Sequence, residues 1–107
     1  MPHGQFNDGY VIDPKTYKVI DKYKVGFNPQ HVVPSWDMQT LWVTNNAEGT
    51  DKGSLTPIDP KTGKPGPEIR VHDPYNMYFS PDGASAIVVE EAEKRLAFRE
   101  PKAMRMR

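Results

Sequence analysis

Few side chains in this 107-residue chain could do chemistry. His31, His72, Asp73 and Asn76 carry the nitrogen and oxygen donors that ligate metals or hold polar ligands. Glu90 and Glu91 are paired carboxylates, suited to general acid–base work or, with an amide oxygen such as that of Asn45, to holding Ca²⁺. Each has a plainer reading. No two histidines stand at ligand spacing, a metal ion needs three or four donors, and a histidine at the entrance of a strand commonly satisfies a backbone carbonyl. Glu90 and Glu91, followed by Lys94 and Arg95, read equally as a solvated loop. With no Cys there is no disulfide scaffold, no thiol catalysis and no Cys-ligated zinc or iron–sulfur site. No Gly-rich phosphate loop and no Gly-x-Ser-x-Gly elbow occurs, so nothing supports a nucleophilic enzyme.

The elements that must position these residues emerge from self-comparison. Asn28-Pro29-Gln30-His31-Val32-Val33-Pro34-Ser35-Trp36-Asp37 lies without gaps over Asp73-Pro74-Tyr75-Asn76-Met77-Tyr78-Phe79-Ser80-Pro81-Asp82, 45 positions on. The register continues from Leu41-Trp42-Val43-Thr44 to Ala86-Ile87-Val88-Val89. At an offset of 46, Ile12-Asp13-Pro14-Lys15-Thr16 recurs as Ile58-Asp59-Pro60-Lys61-Thr62, with a weaker third copy at Arg99-Glu100-Pro101-Lys102-Ala103. Short runs rich in Val, Ile, Tyr, Phe and Trp between turn residues predict nine strands. They centre on Tyr10 to Ile12, Val19 to Val25, His31 to Val33, Thr40 to Thr44, Leu55 to Ile58, Glu68 to Val71, Asn76 to Phe79, Ala86 to Val89 and Arg95 to Phe98. The Asp-Pro-Lys-Thr segments suit type I turns closing hairpins. Ser80-Pro81-Asp82-Gly83 reads as a similar turn, whereas Ser35-Trp36-Asp37-Met38 lacks Pro and Gly and is expected to be looser. Glu90 to Arg95 has helix-favouring composition, but the register makes it a loop.

Four strands in about 45 residues, in tandem, is the period of a β-propeller blade. The expected fold is all-β, an incomplete β-propeller of about two four-stranded antiparallel blades, in preference to a small sandwich or barrel. Residues 1–8 are expected to be disordered or extended, His3 among them. A half blade then spans 9–26, a full blade 27–72 and a partial blade 73–107. The 11 Pro and 8 Gly indicate dense turns, and only 36% of residues are hydrophobic, a thin core. Fourteen basic against 14 acidic residues leave no net field for nucleic acid, and the longest apolar stretch, Ala86 to Val89, is far too short for a membrane span. The basic end formed by Arg99, Lys102, Arg105 and Arg107 reads as the surface charge of an edge strand. Trp36, Trp42, Tyr75, Tyr78 and Phe79 are expected to fill the space between sheets rather than to stack on a ligand.

Taken together, Val11-Ile12-Asp13-Pro14-Lys15-Thr16, Val25-Gly26 ahead of Pro29-Gln30-His31, Leu41-Trp42-Val43-Thr44-Asn45 and Phe79-Ser80-Pro81-Asp82-Gly83 resemble the YVTN-type β-propeller repeat. Trp42 stands where that repeat has Tyr, and Ile87-Val88-Val89-Glu90 departs further. Asp73 to Met104 resembles the YncE-like and cytochrome-d1-like branch. The resemblance implies innermost strands lining a channel, with His31, Asn76, His72 and Asp73 converging on one mouth. It implies a non-enzymatic binding or scaffold module with no cofactor, or alternatively an oxidoreductase-type propeller in which His31 ligates d1-type haem or a metal ion. A lactonase-like hydrolase would need several acidic blades that this stretch lacks. Because such rings close with more blades, the expected partners are further blades, on a longer chain or on other copies. Copies joined head to tail would place the hairpin Tyr10 to Val25 on the sheet left open after Phe98 and associate at micromolar concentration. The amino terminus lacks the basic start and apolar middle of a signal peptide, although the resemblance leans to a periplasmic or secreted setting.

Overall fold

The computed structural model describes residues 2–3, 7–26, 28–47, 53–91 and 94–106. They form ten strands and no helix. β1 (Pro2–His3), β2 (Asp8–Ile12) and β3 (Val19–Lys24) make an N-terminal sheet. β4 (Pro29–Pro34), β5 (Leu41–Asn45), β6 (Ser54–Ile58) and β7 (Ile69–Arg70) make a central one, and β8 (Pro74–Phe79), β9 (Ala86–Glu90) and β10 (Arg95–Arg99) a C-terminal one. All neighbours pair antiparallel. Nine strands coincide with the expected ones. β1 is the tenth, with Pro2 opposite Gly9 and His3 opposite Asp8, so the backbone of these two residues is extended. The His3 side chain and Arg107 lie outside the described residues. An isolated bridge from Met106 to Arg99 begins a fourth strand on the C-terminal sheet.

The turns repeat as closely as the strands. In the three Asp/Glu-Pro-Lys copies, the first residue's N–H reaches the sixth residue's carbonyl, Asp13 to Lys18, Asp59 to Lys64 and Glu100 to Arg105. The fifth residue's N–H returns to the first carbonyl, from Tyr17, Gly63 and Met104. Closing the loop in this way drives that fifth residue into the left-handed region, with φ of 60, 71 and 58°. The first side chain accepts from the N–H two residues on, at 2.8 Å for Asp13 and Asp59 and 2.7 Å for Glu100.

The Ser35 turn is not looser than its Ser80 counterpart. Ser35 Oγ donates to Asp37 Oδ1 at 2.7 Å, as Ser80 Oγ does to Asp82 Oδ1. Thr40 N–H donates to Ser35 Oγ at 3.1 Å and Ser85 N–H to Ser80 Oγ at 3.0 Å. Side-chain oxygens carry this turn, so it closes without Pro or Gly, and Met38 takes the left-handed place of Gly83, with φ of 63 against 72°. The Ser35 hydroxyl, followed by the Gln39 N–H, holds the Asp37 carboxyl below its ordinary value near 3.8.

Two apolar seams join the sheets. Trp42 and Leu55 of the central sheet pack with Met77, Ala86, Val88 and Ala97 of the C-terminal sheet, with Val71 and Met104 completing the cluster. Tyr23 of the N-terminal sheet meets Val43 and Ile58, flanked by Val11, Val25, Val32 and Leu41. Burial of Tyr23 raises its phenol pKa. Of the five aromatics expected inside, Trp42 is buried at 4% exposure and Phe79 is partly buried. Tyr75, Tyr78 and Trp36 are exposed instead. The alternation of β8 explains Tyr78, since Met77 takes the inward face and Tyr78 points the other way.

Candidate functional site

His31 stands on β4 immediately after a bulge, and Asn76 occupies the same position on β8. The bulges fall between Pro29 and His31 and between Pro74 and Asn76, leaving Gln30 and Tyr75 out of the ladder. A carbonyl released in this way is free to bond sideways. The Tyr75 carbonyl oxygen lies 2.8 Å from His31 Nδ1 and 3.0 Å from Thr44 Oγ1 of the neighbouring sheet. Thr44 Oγ1 in turn accepts from the His31 N–H at 3.2 Å. The His31 and Tyr75 rings meet edge-on, 5.2 Å between centroids and 71° between planes. A carbonyl only accepts, so Nδ1 carries the proton, and in the neutral ring Nε2 holds the lone pair.

The remaining candidates do not gather around His31. Asn76 turns to its own strand, with Nδ2 donating to Tyr78 Oη at 3.3 Å and Oδ1 accepting from the Met77 N–H at 2.8 Å. His72 is exposed. Asp73 is buried at a φ of 42°, and its carbonyl accepts from the Glu91 N–H at 3.0 Å. Its Oδ1 is buried without a hydrogen-bond partner. Asn45 is fully buried and donates from Nδ2 to Ser54 Oγ at 3.1 Å and Thr56 Oγ1 at 2.8 Å, which makes it an internal tie of the central sheet.

Glu90 corrects the solvated-loop reading. It ends β9 on the same face as Ala86 and Val88, and strand alternation carries it inward to complete burial, while Glu91 is exposed. Glu90 Oε1 pairs with Arg95 Nη2 at 3.0 Å across the strands, and Oε2 is buried without a partner. Arg99 is likewise no surface charge. It is buried at 9% exposure, its Nη1 donates to the Met104 carbonyl at 2.6 Å, and desolvation lowers its pKa against the opposing pull of Glu90. Asn46 and Glu91, equivalent positions in adjacent units, approach to 3.5 Å.

Among the described residues no three of His, Asp and Glu form a group able to hold a metal ion. Among the same residues, no side-chain hydrogen bond joins two of the seven candidates. Reading the sequence missed Tyr75, whose contribution is a backbone carbonyl, and Thr44, one of several strand threonines; only the Pro-x-His and Pro-x-Asn spacing hints at the bulge. It also missed an apolar groove of about 430 Å³ at the seam of the N-terminal and central sheets, lined by Tyr10, Val11, Tyr23, Val32, Leu41 and Ile58 among others.

No family model matches the chain, and no curated protein matches it. Several solved structures do, and two of them illustrate the likeness. The hydrazine synthase of Kuenenia stuttgartiensis is similar over 97% of this chain and 29% of its own, at 23% identity and a TM-score of 0.78. The dihydro-heme d1 dehydrogenase NirN, solved in complex with DHE, is similar over 94% of this chain and 22% of its own, at 17% identity and a TM-score of 0.67. Both are β-propeller proteins, and at such identities the likeness is one of fold. This chain is therefore an all-β, incomplete β-propeller, spanning less than a third of the length of either structure. No helix among the described residues is long and apolar enough to cross a membrane.

Proposed function

We propose that this chain is a non-enzymatic binding or scaffold module, an arc of blades that works alongside further blades. One observation carries the reading. The two internal seams are both apolar, and the outward face of the C-terminal sheet repeats that apolar pattern with none of the described residues packed over it as a cluster. There Tyr78, Leu96 and Phe98 are 57, 57 and 49% exposed. Monomeric soluble proteins rarely leave contiguous apolar surface open, and such patches mark interaction sites.

A second reading, a haem-binding oxidoreductase-type arc, is favoured by the His31 geometry. Histidines that ligate a metal usually donate their other ring N–H to a carbonyl or carboxylate, as His31 Nδ1 does to Tyr75. One protein donor suffices for a haem iron, whereas a free metal ion needs the three or four that are not gathered among the described residues. The ligand named for NirN belongs to that protein and supports this reading only as an analogy. Titration of the purified chain with haem, followed by absorbance, separates the two. A spectrum showing only free haem is the expected result. A stoichiometric complex with a shifted Soret band, abolished in His31→Ala, would replace the scaffold reading with the second.

A further inference from the structure

The C-terminal sheet turns two rows outward, Tyr78–Ile87–Phe98 and Asn76–Val89–Leu96, each aligned across β8, β9 and β10 by the strand register. Forty-five positions earlier in β4 and β5, and by strand register in β6, the same places hold Val33–Trp42–Pro57 and His31–Thr44–Leu55. Of these, Trp42, Leu55 and Val33 pack on the C-terminal sheet inside this chain. What covers that face in the central sheet is a face built from the inward positions of the next unit, such as Ala97 on β10. Among the described residues, no apolar cluster covers the equivalent face of the N-terminal sheet. With Val11 directed to the seam, alternation places Ile12 on the other side, opposite Val19, which is 54% exposed.

We infer that the outward face of the C-terminal sheet docks the outward face of the N-terminal sheet of a second copy, continuing the seam that the chain already makes twice within itself. This rests on the reading of the chain as an arc of blades and names the blade that comes next. The contact is between faces and not by strand addition, because the bridge from Met106 already occupies the β10 edge at Arg99. It is heterologous, head to tail, and two copies closing on each other bring six sheets together, within the four to eight that propeller rings use.

The test is sedimentation velocity of the full chain at concentrations up to about 50 µM, in the range where interfaces of ordinary size assemble. A dimer is expected. Phe98→Glu and Ile12→Glu, each checked by circular dichroism for a retained β-sheet spectrum, should each weaken it more than about tenfold, the effect of a charge buried at the centre of an interface. Mixing the two variants should restore a dimer, since one wild-type seam forms between the intact C-terminal face of one and the intact N-terminal face of the other. A monomeric wild-type chain overturns the inference and leaves the haem titration to judge the scaffold reading separately. A dimer that Phe98→Glu breaks but Ile12→Glu leaves intact also overturns it, in favour of two C-terminal faces meeting.

Discussion

At Met38 the backbone holds a φ of 63° although the side chain is 70% exposed and packs on little. A left-handed L-residue costs roughly 1–2 kcal/mol, and glycine gives back about 0.5–1 through its greater freedom when unfolded. Met38→Gly is therefore expected to stabilise the chain by about 0.5–1 kcal/mol, read from urea denaturation midpoints. A lower midpoint would show that the methionine side chain contributes packing at this turn. The turn itself was half legible. Ser35 and Asp37 are the residues that make it, and both are plain in the sequence; the missing Pro and Gly suggested slackness because residue preferences describe the cost of a conformation and not the hydrogen bonds that enforce it. Tyr17, 84% exposed with a φ of 60°, is the same case in the other family of turns.

Turns also couple neighbouring elements. A Cβ at Gly83 would come within 2.6 Å of the Trp36 ring, which lies over the equivalent turn of the next unit. Gly83→Ala should cost about 2–3 kcal/mol, part from its φ of 72° and part from displacing the indole. In a Trp36→Ala background the same change should cost only the backbone share, about 1–2 kcal/mol. Additive costs in a double-mutant cycle would mean that the ring swings aside freely. The strands and the period were readable because hydrophobic runs and turn residues recur at 45 and 46 positions. The bulges at Gln30 and Tyr75 were not, since one unpaired residue leaves no mark on composition. Glu90 shows the converse: counting alternate residues from Ala86 puts it inside, although the repeat register and its charge both argued for a loop.

Across the whole molecule, stability depends on seams one side chain deep. Trp42 sits in the seam of the central and C-terminal sheets, so Trp42→Ala should cost about 3–5 kcal/mol in denaturant titration. Its indole nitrogen has no partner, so Trp42→Phe should cost under about 1.5 kcal/mol. A loss below about 1 kcal/mol for the alanine variant would place the ring outside the core. The fold class was legible at this scale, and the candidate site much less so. Seven polar residues were picked by type and register, yet their environments depend on which face each strand turns inward. That placed Asn45 and Glu90 in the interior and left His72 in solvent.

The sideways carbonyl of Tyr75 has a mechanical consequence. Greasy surfaces in contact resist being pulled apart but offer little against slipping past one another. Here a proton donor on each of two side chains, His31 and Thr44, grips a single oxygen of the adjoining paddle. Any sliding motion must break that grip before the apolar contacts begin to give, so the pitch between paddles is held by a latch at their inner edge.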